Sequence, residues 1–286
     1  MAIDHARLMA RAFPEIRSEY SWKDCALYAL GLGLGSDPLS QDELRHVYEK
    51  DLEALPTMAV TLGHPGFWIS EPDTGIDFRK VVHGEQTLVI HHPLRAEATM
   101  IGRNSVEDIV DKGEGRGALL RVRRDLFEAE TGLLQSSQTM TMFCRGDGGF
   151  GGPASGTPSV SVTLPDRPAE TVVDRPTPPQ AALIYRLGSD LNPLHADPAV
   201  AAAAGFDRPI LHGLGTFGIA GFALMTGCGR RGASLRELGC RFTAPFFPGE
   251  TLRTEIWQED GVVLFRCTAL ERGALVLDRG RAIFED

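Results

Sequence analysis

Along this chain of 286 residues the spacing of apolar positions switches between helical and strand-like stretches. Residues 21–34 (SWKDCALYALGLGL) place apolar and small residues at helical spacing behind a serine, and residues 40–53 (SQDELRHVYEKDLE) are amphipathic, opened by Ser40 with acids in the first turn. The pattern predicts a helix for each. Between 81 and 145 the chain turns β-like: VVHGEQTLVIHH, RAEATMIGR, GALLRVRRDLF and SSQTMTMFCR are Val, Ile, Thr and Leu-rich runs separated by Gly, Pro and charged turns. Residues 146–180 are dense in Gly, Pro and Ser and read as a linker by composition.

The second half repeats the plan in shorter form. A helix-rich stretch at 181–226 precedes strand-like runs at RFTAPFFPGETLRTEIWQ, VVLFRCTALE and LVLDRGRAIFE. Leu88…Pro93-Leu94…Glu97 can be laid against Phe242…Pro245…Gly249…Leu252, each a strand broken by a proline, which points to duplication. The segment Pro209 to Gly229 (PILHGLGTFGIAGFALMTGCG) carries no formal charge, yet its six glycines, a histidine and two threonines argue against a bilayer span. A helix apolar on every face must be enclosed, so the expected architecture is α+β, with antiparallel sheets wrapped around long central helices. The expected division is an N-terminal repeat at 1–150, a Gly/Pro-rich linker at 151–180 and a C-terminal repeat at 181–286.

Composition narrows the function classes. With 43% apolar residues the chain is ordinary globular protein, and a net charge of −9 argues against a general nucleic-acid binder, which needs clustered Lys and Arg. The 5 cysteines form no CxxC pair and leave one unpaired in any disulfide scheme. That fits a reducing compartment, and with no signal-like apolar stretch near residue 1 the expectation is a cytoplasmic protein.

Three motifs bear on chemistry. Gly146-Asp-Gly148-Gly-Phe-Gly151 satisfies GxGxxG, but GPASGTPS follows and cannot open the helix that a dinucleotide loop requires, so a flexible linker is the expected reading. In Tyr185-Arg-Leu-Gly-Ser-Asp190-Leu-Asn192-Pro-Leu-His195-Ala-Asp197-Pro198, the two X-Pro steps force the segment out of helix. Asp197 and Pro198 then start a short helix that Gly205 closes. Asp190 and His195 therefore sit on a loop fixed by prolines, where a carboxylate and an imidazole can converge on one water. Asp190 and Asn192 taken alone would be read as turn-formers. The third motif, Pro209-Ile-Leu-His212-Gly213-Leu-Gly215, opens the buried helix, and a glycine amide at a helix N-terminus suits an oxyanion hole. Tight helix packing is the alternative reading of these glycines.

Asp190-x-Asn192-Pro-x-His195 followed by His212-Gly213 resembles the hydratase 2 group of MaoC-like proteins, the (R)-specific 2-enoyl-CoA hydratases. The resemblance continues in residues 26–33, in His83-Gly84-Glu85-Gln86, Asp111-Lys112-Gly113 and Gly148 to Gly152, and in Ala204 to Gly213. It departs at Gly188-Ser189, where the family usually has Ser-Gly. The resemblance implies a double hotdog fold, commonly dimeric, that takes an acyl-CoA thioester as substrate with no separate cofactor and no metal. It further implies that Asp190 and His195 form the catalytic pair, that Asn192 supports them and that the Gly213 amide holds the thioester oxygen. His83, Gly84, Lys112 and Phe242 would line the acyl-CoA site. Glu49 matches a carboxylate the family needs, although its amphipathic helix suits a structural ion pair equally well. One active site per chain is expected, because the first repeat has no Asp-x-Asn-Pro-x-His copy. A dehydratase of other β-hydroxyacyl thioesters, a hotdog thioesterase and a non-catalytic acyl-CoA-binding module are the competing readings.

Overall fold

The computed structural model describes residues 2–157 and 162–285. The first half contains α1 (His5–Met9), β1 (Ile16–Tyr20), α2 (Trp22–Gly31), α3 (Gln41–Leu44) and four long strands, β2 (Val81–Ile90), β3 (Ala98–Asp111), β4 (Ala118–Glu128) and β5 (Leu134–Cys144). The second contains β6 (Thr171–Pro176), α4 (Ala181–Tyr185), α5 (Pro198–Ala203), α6 (Gly213–Gly227), β7 (Leu235–Phe242), β8 (Thr251–Glu259), β9 (Val262–Ala269) and β10 (Ala274–Phe284). All ten strands form one sheet in the order β1-β3-β4-β5-β2-β7-β10-β9-β8-β6, and every neighbouring pair is antiparallel. The order is palindromic: each half contributes five strands in the same sequence, mirrored about the β2–β7 seam. That symmetry is the duplication expected from the repeated sequence plan, and it is the joining of two sheets that a double hotdog requires.

The helix α6 fills the second half as its composition demands. Eleven of its residues are buried and none is charged. Two of its glycines are needed for the fit. A Cβ on Gly218 would lie 2.6 Å from the Tyr28 hydroxyl, and one on Gly221 would lie 2.7 Å from Thr57 Cγ2. The helix thus presses directly on α2 and on the buried 3-10 turn Pro56–Thr61 of the first half. One large cluster of buried residues runs through both halves, from Tyr28 and Met58 through Phe217 and Phe222 to Phe265.

Three expectations need correction. The first half has no counterpart of α6 among the described residues. Its longest helix, α2, lies against α4, and the turn Pro56–Thr61 packs on α6 and β2. The helix expected over 40–53 is only the four residues of α3. Tertiary bonds override propensity there: the Glu53 amide returns to the Arg45 carbonyl, His46 Nδ1 bonds the Glu53 carbonyl at 2.7 Å, and Asp51 takes a left-handed φ of 55°. Finally, the stretch read as a linker contains β6, which pairs with β8 at the sheet edge and ends on Pro176, where no further ladder donor is required. Residues 158–161 of that stretch lie outside the described residues.

The glycine-rich segment before it is packed rather than loose. The Asp111 carboxylate accepts from the amides of Gly113 at 2.8 Å, Gly149 at 2.7 Å and Gly151 at 2.8 Å. Those donors, Gly149 first, hold the carboxyl below the usual carboxylate range. The amides that a nucleotide phosphate would need in GxGxxG therefore already serve a side chain of the protein.

Candidate active site

The loop from Arg186 to Asp197 is built from short side-chain-to-backbone bonds. Asp190 Oδ1 accepts from the Asn192 amide at 2.9 Å, Asn192 Oδ1 from the Leu194 amide at 3.0 Å, and Asp197 Oδ1 from the Ala199 amide at 2.8 Å, capping α5. Pro193 begins a 3-10 turn that ends on His195. Asp190 is left exposed, while His195 is buried.

The segment entering α6 holds both residues. His195 Nδ1 lies 2.9 Å from the Ile210 carbonyl, and His212 Nε2 lies 2.9 Å from the Asp190 carbonyl. A carbonyl only accepts, so each of these nitrogens carries a hydrogen. In the neutral rings the lone pairs are left on His195 Nε2 and His212 Nδ1. Both imidazoles are disfavoured as cations: desolvation lowers His195, partly offset by the Ile210 carbonyl and the Asp190 charge. Desolvation, then the neighbouring His195, pushes His212 down to about 3. His195 is thus a neutral base with an open Nε2 beside a carboxylate.

Gly213 follows as the first residue of α6, where backbone N–H groups have no intrahelical partner and the helix dipole is positive. Phe242, the last residue of β7, lies against it: a Cβ on Gly213 would be 3.3 Å from the Phe242 ring. That ring stands 4.6 Å from His83 of β2, which burial pushes down to about 4. Gly84 follows His83 at a break in the β2–β5 register, which re-aims the strand beside the site. The fold therefore brings Asp190, Asn192, His195, Gly213, Phe242, His83 and Gly84 together, the first five from the second half and the last two from the first.

Two expected residues lie elsewhere. Lys112 is exposed in the β3–β4 turn. It is at the same end of the sheet as His83 but three strands across, roughly 14 Å at the usual strand spacing. Glu49 is exposed in the turns after α3. The carboxylate which that segment buries is Glu43, bound to Arg175 of β6 at 2.8 Å and to the Gly35 amide at 2.8 Å. Glu43 was hidden in the sequence because its partner is 132 positions away.

His64 was also missed. The residue is exposed, yet protein crowds its ring and desolvation pushes it down to about 4, with the Arg124, Asp190 and His83 charges acting on it as well. The loop that carries it is nailed down: buried Arg124 donates to the Val60 and Leu62 carbonyls at 3.0 Å each, and Asn104 donates to the Gly63 carbonyl. No sequence pattern marks a lone histidine of this kind.

Asp190, His195 and His212 each place one ligand-type atom within 4.8 Å of the others. The two rings are stacked, 3.7 Å between centroids and 27° between planes, so their open lone pairs lie in near-parallel planes. Two imidazoles sharing a tetrahedral ion need lone pairs that converge.

Two family models match successive parts of the chain. Residues 18–146 match the family model for the MFE-2 hydratase 2 N-terminal domain, and residues 160–277 match the MaoC-like domain. The peroxisomal enoyl-CoA hydratase 2 of Arabidopsis thaliana is 37% identical over 287 residues, covering 94% of this chain and 92% of that protein. The chain belongs to the hydratase 2 group of the MaoC-like family. Members of this hydro-lyase family include the 3-hydroxyacyl-thioester dehydratase Y of Mycobacterium tuberculosis, 40% identical over 93% of this chain and 91% of its own. The crystal structure of a MaoC-like dehydratase from Phytophthora capsici superposes with a TM-score of 0.86 at 30% identity, covering 99% of this chain and 98% of that one. The double hotdog expected from the resemblance is the fold of this hydratase 2 member. No described helix is long and apolar enough to cross a membrane.

Proposed function

We propose that this hydratase 2 family member adds water reversibly across a trans-2-enoyl-CoA to give the (3R)-3-hydroxyacyl-CoA. The observation that carries the reading is the open Nε2 of neutral, buried His195 beside the Asp190 carboxylate, at the N-terminus of α6. In an enoyl thioester the carbonyl withdraws electron density from C3. The Asp190–His195 pair holds one water, whose oxygen bonds to C3 as one of its protons is taken by the pair. The C2=C3 electrons move toward the thioester oxygen, where the Gly213 amide and the helix dipole meet the developing charge. A proton then passes to C2 on the same face. The substrate has gained one H and one OH, and the enzyme ends as it began. Addition of this kind calls for no redox cofactor and no metal.

Asn192 supports the loop through the Leu194 amide, and His83, Gly84 and Phe242 form the acyl-thioester wall. Lys112 meets the CoA phosphates, offsetting locally the −9 charge of the chain. The first repeat supplies His83, Gly84 and Lys112, and the second supplies Phe242 and the chemistry, in an enzyme that works as a homodimer within a reducing compartment, the cytoplasm. The five cysteines, all of them free thiols, fit a reducing compartment.

Following the loss of enoyl absorbance across trans-2-enoyl-CoAs from C4 to C16 tests the reaction. Incubating the product with an (S)-specific hydroxyacyl-CoA dehydrogenase tests the stereochemistry: ready oxidation would refute the (R) assignment. A second reading, dehydration of other β-hydroxyacyl thioesters, is favoured by the 40% identity to the M. tuberculosis thioester dehydratase. A preference for carrier-protein over CoA thioesters would establish it.

A further inference from the structure

Only one of the two stacked rings at the loop has a part in the reaction proposed above. The other, His212, is 3% exposed and stands at the entry to α6. The short stretch from Ile210 to His212 braces both members of the acid–base pair: the Ile210 carbonyl takes the His195 Nδ1 hydrogen, and the His212 Nε2 hydrogen goes to the Asp190 carbonyl. Asp190 lies outside any helix or strand, between a bend at Ser189 and the 3-10 turn at Pro193, and among the described residues its own side chain is bonded by the nearby Asn192 amide alone. The bond from His212 is its tie to the core. The face of His212 meanwhile lies against the His195 ring at 3.7 Å, with Tyr185 4.8 Å away on its own contact.

We propose that His212 is a positioning residue of the acid–base pair, setting the Asp190 backbone through Nε2–H and the plane of His195 through its ring face. The proposal rests on the hydratase reading for its effect on turnover. The titratable and charged groups around the ring are Asp190, His195, Tyr185 and Arg186. Burial keeps the ring neutral, so the same nitrogen remains the donor throughout the working pH range. A displacement of about 1 Å in such a pair costs on the order of 100-fold in rate.

The test compares His212→Leu, which keeps bulk without a donor, with His212→Gln, whose amide nitrogen can reach the Asp190 carbonyl. Leu is expected to lower kcat by about 100-fold with KM changed by less than about threefold, and Gln to recover about tenfold or more of that loss. Nitrogen-15 NMR of the wild-type protein is expected to show His212 as the neutral Nε2–H tautomer from about pH 5 to 8. A Leu variant within about twofold of wild type, a folded Gln variant no better than Leu, or a protonated or Nδ1–H ring would overturn the proposal. If the wild-type protein hydrates none of the enoyl-CoAs, the functional reading fails, and the tautomer still decides whether His212 braces Asp190. If the Leu variant does not fold, the Gln variant and the tautomer decide.

Discussion

The rings of His83 and Phe242 stand 4.6 Å apart across the seam where β2 pairs with β7, so the two halves of the chain meet beside the Asp190–His195 loop. Phe242 also covers Gly213 at the start of α6. The wall therefore draws on both halves, His83 from the first and Phe242 from the second, so neither half completes the proposed site alone.

Removing that wall should separate binding from chemistry. Phe242→Ala is expected to raise KM for enoyl-CoA by about tenfold, the scale of one lost aromatic contact, with a smaller fall in kcat. Steady-state kinetics on the purified variant measure the split, and a large kcat loss with KM unchanged would place Phe242 in the chemistry instead.

The buried neutral histidines give stability a pH dependence of defined sign. His212 and His83 titrate near 6.5 when unfolded, but burial holds them down at about 3 and about 4 in the folded protein. As pH falls below 6.5 the unfolded chain takes up protons that the native state refuses. Stability present above pH 6.5 is therefore lost toward pH 4, by on the order of 1 kcal/mol per pH unit for each ring. Urea midpoints at pH 8 and pH 5 should show the drop, and His83→Gln should reduce its slope. A midpoint that rises on acidification would contradict the sign.

Lys112 offers a charge without a part in the chemistry. Lys112→Ala is expected to raise KM for a CoA thioester several-fold at low salt, with kcat unchanged and the difference shrinking as salt screens the pair. An N-acetylcysteamine thioester, which lacks the phosphates, should show no effect of the substitution. Equal effects on both substrates would remove Lys112 from the phosphate site.

Glu43 and Glu49 should behave oppositely. Glu43→Ala removes a buried carboxylate, strands half-buried Arg175 and is expected to cost about 3 kcal/mol in a urea unfolding series. Glu49→Ala, exposed, should change stability by less than about 0.5 kcal/mol. Loss of turnover in a fully stable Glu49→Ala protein would restore the role that the family resemblance implies for it.

Much of this site was legible in the sequence because its determinants are local. Two prolines, Asp197 and Gly205 fix the loop and the short helix after it, and an uncharged run of Gly, Ala and Phe can only be an enclosed helix. What stayed hidden depends on distant partners. The Glu43–Arg175 pair joins positions 132 apart, and the bonds that return Glu53 to Arg45 and His46 end early a segment that its own spacing marks as a longer helix. β6 lay inside a Gly/Pro-rich stretch and became a strand because β8 offered an edge. The GxGxxG segment folds around Asp111, and His64 faces the site only through a loop anchored by Arg124 from another strand. Contacts of this kind leave no periodic trace.

The central claim is that Asp190 and His195 together add water to an enoyl thioester. Its most direct measurement is the loss of enoyl absorbance from crotonyl-CoA with wild-type protein, Asp190→Asn, His195→Gln and the double variant. Each single change should lower kcat by about 10²- to 10⁴-fold without unfolding the protein, and the double variant should be little worse than either, as expected of groups acting as a unit. Near-normal turnover in either folded single variant would contradict it.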